Sequence, residues 1–147
     1  MSVKNESKIN QLLQEVPAGA VYLTSWMKQN NIPHSTQHRY VESAQGIECQ
    51  LMAGRAGDLV LLGGARADGI EPVGKFPIKA RIGDAGCEKP AGEWNEAEIV
   101  CQGDRMAVYI NGVLQNECSG TNRTGYIALQ SEGGTLEFRN VYLTDVK

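Results

Sequence analysis

Of the 17 glycines in this chain, only Gly19 precedes residue 46. From residue 46 on, glycine-rich turns separate short alternating runs, the pattern of an all-β sandwich or barrel. Ile47-Glu48-Cys49-Gln50-Leu51-Met52 places Ile47, Cys49 and Leu51 on one strand face and Glu48 and Gln50 on the other. Residues 58–62 read as a buried strand broken by Gly63-Gly64. Residues 97–101 form a strand ended by Gln102-Gly103-Asp104. Residues 106–110 run into Asn111-Gly112, the dipeptide that favours positive φ at both turn positions, and Val113-Leu114-Gln115 returns as the partner strand. Residues 126–132 and 136–143 are expected to pair across Gly133-Gly134, and 65–93 to be rich in loops.

The first 45 residues carry a different pattern. Ile9, Leu12, Leu13 and Val16 recur at helical spacing, and Pro17-Ala18-Gly19 ends the run. Thr24 can cap a short helix over 25–30, Asn30-Asn31 is a turn, and Pro33 suits the first turn of a helix over 33–43. Helix, short helix, tight turn and helix make a helix-turn-helix-like segment. The expectation is thus two parts: residues 1–45 helical and residues 46–147 a β-domain. His34 and His38 stand one helical turn apart, but no third ligand lies near them, so no metal site is expected.

Composition narrows the function classes. Over 147 residues, hydrophobic residues are 41%, charged residues 21% and mean hydropathy −0.31, as in an ordinary globular chain. The longest apolar run, Leu59-Val60-Leu61-Leu62, is far short of the ~20 residues that span a bilayer, so no membrane partner is expected. Residues 1–20 hold Lys4, Glu6, Lys8 and Glu15 and no apolar signal core, so the chain as it stands is expected in the cytoplasm. The net charge of −3 argues against whole-chain electrostatic capture of nucleic acid. Cys49, Cys87, Cys101 and Cys118 show no CxxC spacing, and free thiols are the default, with Cys49 and Cys101 as small core residues.

Two resemblances extend this reading. Lys8-Ile9-Asn10-Gln11-Leu12-Leu13, Leu23-Thr24-Ser25-Trp26-Met27-Lys28 and His38-Arg39-Tyr40-Val41-Glu42-Ser43 resemble the N-terminal winged-helix domain of AbiEi-type antitoxin regulators over residues 6–44. That resemblance implies DNA binding through Ser35, Thr36, Gln37 and Arg39. The family's wing is replaced here by Ala44-Gln45-Gly46-Ile47-Glu48. Over residues 46–147, Ile47-Glu48-Cys49-Gln50-Leu51, Gly57-Asp58, Gly92-Glu93-Trp94-Asn95, Val108-Tyr109-Ile110-Asn111-Gly112-Val113, Ile127-Ala128-Leu129-Gln130-Ser131-Glu132-Gly133 and Glu137-Phe138-Arg139-Asn140-Val141 resemble the 3-keto-disaccharide hydrolase domain. That resemblance implies a concanavalin A-like antiparallel β-sandwich, or jelly roll, whose opening strands are missing here. It also implies action on carbohydrate and, in most members, export.

The residues themselves suggest how such chemistry would run. Glu48 and Gln50 share one face, as do Tyr126, Ala128, Gln130 and Glu132. Glu48 and Glu132 are the candidate catalytic carboxylates, either as an acid–base pair or as the base that removes the acidified C–H beside a keto group. Gln50, Gln130 and Arg139 are the candidate substrate-binding side chains. The plainer alternative is that these are solvated strand residues, with Arg139 paired to Glu137 or Glu48. No cofactor is implied. The expected partners are a carbohydrate ligand and a second copy of the chain, with missing strands leaving an edge to cover. DNA is a partner only in the regulator reading, and a catalytically inactive binding or assembly module is the third.

Overall fold

The computed structural model describes residues 21–23, 45–82, 87–121, 125, 127–130 and 136–146. Among these residues the chain is mainly β, with eight strands and no α-helix. Strand β1 spans Val21–Leu23, β2 Gly46–Cys49, β3 Leu59–Leu62 and β4 Ile78–Lys79. Strand β5 spans Ala97–Gln102, β6 Arg105–Ile110, β7 Val113–Cys118 and β8 Ile127–Leu129.

The chain divides into two compact units. One comprises Met1–Gln37 and Thr124–Asn140, the other His38–Arg123 and Val141–Lys147. In the first, β1 pairs in parallel with β8, Val21 opposite Ile127 and Leu23 opposite Leu129. A strand therefore does precede Gly46, which corrects the expectation that the opening of the β-domain is missing. It also corrects the expected pairing of 126–132 with 136–143: β8 takes β1 as its partner, and 136–146 form no strand. The helices expected over 9–16, 25–30 and 33–43 lie outside the described residues, and no described element supports them.

The second unit holds two three-stranded antiparallel sheets, ordered β2-β3-β4 and β5-β6-β7. Both contribute to one core, in which Leu59 and Leu61 from β3 pack with Met106, Val108 and Ile110 from β6. The arrangement is consistent with a β-sandwich. β3 lies between two neighbours, and Leu59, Val60 and Leu61 are all buried, which is why its sequence is an unbroken apolar run. In β6, by contrast, only alternate residues are buried, as a strand with one covered face requires.

The hairpin between β6 and β7 turns at Asn111 and Gly112, with φ of 50° and 77°. Those are the positive values for which the Asn-Gly pair is suited. A register shift opposite Val108/Tyr109 leaves Gln115 as an extra residue in β7. The bulge explains why two consecutive residues, Gln115 and Asn116, are both fully buried.

Candidate functional site

Strand β2 divides its side chains as the alternation requires. Ile47, Cys49 and Leu51 pack against the core, so Glu48 and, just beyond the strand, Gln50 lie on the opposite face. Gln50 continues the pairing with β3: its N–H donates to the Asp58 carbonyl at 2.9 Å, and its carbonyl accepts from the Gly57 N–H at 2.8 Å. The side chain of Gln50 is set by the following loop, because its Oε1 accepts the Met52 N–H at 3.0 Å.

A network of charges holds that loop. Glu88 Oε2 accepts the Gly54 N–H at 2.7 Å, and Oε1 accepts the Ala56 N–H at 3.1 Å. Arg81 Nη1 donates to Glu88 Oε1. The Arg81 backbone N–H donates to Asp58 Oδ1 at 2.8 Å, and Arg55 Nε donates to Asp58 Oδ2 at 2.8 Å. Asp58 is 3% exposed and is neutralised by these donors. Asn116 binds the same region from β7, its Nδ2 lying 2.9 Å from the Lys79 carbonyl and 3.2 Å from that of Gly57.

Burial pushes the Cys49 thiol up to about 11, the Glu48 and Asp58 carboxylates add to the rise, and the Gly57 N–H opposes it. Burial also raises the thiols of Cys101 and Cys118. All four cysteines are free. Cys49 is packed against the core as expected, whereas Cys101, on β5, is exposed and is not a core residue. The raised pKa values keep the thiols of Cys49, Cys101 and Cys118 protonated near neutrality, so they are poor nucleophiles.

Glu48 and Gln50 therefore lie together in one unit. Gln130, half-buried after β8, and Arg139, exposed, belong to the other. Glu132 and the candidate DNA contacts Ser35, Thr36, Gln37 and Arg39 lie outside the described residues. Trp94, on the N-terminal side of β5, is 40% exposed. Asn111 is the turn residue expected. Its Nδ2 also donates to the Cys87 carbonyl at 2.6 Å and to Asn95 Oδ1 at 2.8 Å.

Sequence reading missed Arg81, Glu88 and Asn116. Arg81 and Glu88 fall in the stretch without periodicity. Asn116 follows a bulge, where alternation no longer reports which side chains point inward.

The described residues form a mainly β fold in which strand β2 turns a polar face away from the core. The chain belongs to the family of the 3-keto-alpha-glucoside-1,2-lyase-like domain, whose model matches residues 14–144. The match enters on the N-terminal side of β1 and gives no support to the antitoxin-regulator resemblance of residues 6–44. No curated protein and no solved structure matches the chain.

Proposed function

We propose that this chain binds a 3-keto-glycoside and cleaves it by elimination, with Glu48 as the base. The observation that carries this reading is the position of Glu48 in a member of this family. It lies on the β2 face turned away from the core, beside Gln50. A keto group at C3 acidifies the C2–H. Glu48 takes that proton, the C–H electron pair becomes the C1–C2 double bond, and the C1–O bond breaks with its pair on the departing oxygen. That oxygen is then protonated. Gln50 supplies hydrogen bonds that orient the sugar.

In the other unit, Gln130, Arg139 and Glu132 are separate candidates for sugar contact and for a second carboxylate. Each is tested by its own variant.

The test is turnover of a 3-keto-α-glucoside by the full chain and by Glu48→Gln. Gln keeps the size of Glu and its hydrogen bonding but cannot accept the proton. The expected result is loss of turnover, by roughly 100-fold or more, with binding retained. Equal turnover by the two proteins would move the base elsewhere, with Glu132 next to be replaced. Neither binding nor turnover by the unmodified chain would leave only an inactive module.

A further inference from the structure

The loop between β2 and β3 contains Gly54 and Gly57, with φ of 79° and 101°, and holds no regular element of its own. A carboxylate remote in sequence adds to the loop's own turn hydrogen bonds. Both oxygens of Glu88 accept loop N–H groups, from Gly54 and Ala56, and Oε1 also receives the Arg81 guanidinium. Arg81 is engaged at both ends, through its backbone on Asp58 and its side chain on Glu88.

The side chains of Arg81 and Glu88 are only 13% and 14% exposed. Buried ion pairs are weak sources of net stability compared with apolar packing, but they hold their donors and acceptors in one geometry. The chain of contacts then reaches the candidate site. Arg55 N–H donates to the Met52 carbonyl at 2.9 Å, and Met52 N–H donates to Gln50 Oε1. The bond from Met52 fixes the orientation of the Gln50 amide, and its Nε2 carries the donors that Gln50 can offer a ligand.

We propose that Glu88, with Arg81, is a positioning residue. It latches the 50–58 loop so that Gln50 presents its Nε2 as a hydrogen-bond donor to a ligand oxygen, beside Glu48. This rests on the sugar-binding reading of the β2 face and adds to it how the face is held. It also assigns Gln50 a donor role toward a ligand acceptor, such as a keto oxygen.

The experiment has two readouts on the full chain, compared across wild type, Glu88→Ala, Glu88→Gln and Arg81→Met. The first is amide hydrogen exchange at Gly54 and Ala56, with Val108 and Ile110 as core references. The second is kcat and KM on a 3-keto-α-glucoside. Glu88→Ala should speed exchange at Gly54 and Ala56 by about tenfold or more, the scale of one lost charge-assisted hydrogen bond. The core amides exchange by global unfolding and should speed by one common factor set by the overall loss of stability. KM should rise by about tenfold with kcat little changed, since Glu48 is untouched. Glu88→Gln keeps one carbonyl acceptor and should fall between; it and Arg81→Met carry the test if Glu88→Ala does not fold.

Unchanged exchange at Gly54 and Ala56 in every variant would overturn the latch. A loosened loop with wild-type kcat and KM would overturn positioning. Lost kcat with a protected loop would mean that Glu88 meets the substrate itself. If the wild-type chain neither binds nor cleaves the sugar, the sugar reading fails and positioning fails with it, while the exchange contrast still decides the latch.

Discussion

A Cβ placed on Gly57 would stand 2.4 Å from the Cβ of Gln115, so the loop after β2 lies directly on the bulge of β7. The contact couples the loop that carries Gln50 to a strand far along the chain. Only a residue without a side chain allows it, and the φ of 101° at Gly57 adds a second reason for glycine there.

Gly57→Ala should therefore destabilise the protein by about 2–4 kcal/mol, from overpacking and backbone strain together. Gly54→Ala is the control, because its φ is 79° but no atom stands within 4 Å of the added Cβ. It should cost only about 1 kcal/mol. Urea midpoints of the two variants check this, and equal shifts would refute the close approach.

Asn111→Ala should cost about 2–3 kcal/mol, since it strains a turn with φ of 50° and removes the bonds to Glu96 N–H, Asn95 and the Cys87 carbonyl. Asn111→Gly keeps the turn and loses only the bonds, so it should be the less damaging of the two. Thermal unfolding of both variants separates turn geometry from hydrogen bonding.

Asn116 is fully buried, and its Nδ2 faces the carbonyls of Gly57, Lys79 and Ala80. Asn116→Leu should cost about 2–4 kcal/mol, because those carbonyls lose a donor away from water. Asn116→Asp should be worse at neutral pH, where a carboxylate would confront carbonyl oxygens. Denaturant titration of the pair reports the difference.

Cys49 supplies a pH prediction. Its thiol is raised from 9.0 to about 11 in the folded protein, so the folded state holds this proton more tightly than the unfolded chain. The contribution to stability is full below about pH 9 and is lost as pH rises toward about 11. Cys49→Ala should flatten that alkaline fall in stability. At about pH 8, iodoacetamide should modify exposed Cys101 before Cys49 or buried Cys118. Mass spectrometry of the labelled peptides gives the order.

Much of the second unit was legible in the sequence because its signals are local. The Asn111-Gly112 hairpin follows from the φ that those two residues tolerate, and the strands β5, β6 and β7 follow from runs flanking glycine turns. The face assignment in β2 needed only the period of two, which put Cys49 inward and Glu48 outward. The reading failed where partners are distant. The parallel pairing of Val21 with Ile127 joins the two ends of the chain, and alternation in either segment names no partner. The 136–143 run alternates like a strand, yet Val141 and Leu143 are exposed outside any sheet.

By itself, the sequence determined the β character of residues 46–121, the turn at Asn111 and the side of β2 on which Glu48 and Gln50 lie. These depend on φ preferences and on the two-residue repeat of a strand, which act between neighbours. The tertiary structure decided that Glu88 and Arg81 would hold the loop beside Gln50, and that Gly57 would lie against Gln115. Those contacts arise only when non-adjacent segments close on one another. Their hydrogen bonds and shape complementarity leave no periodic trace in the chain.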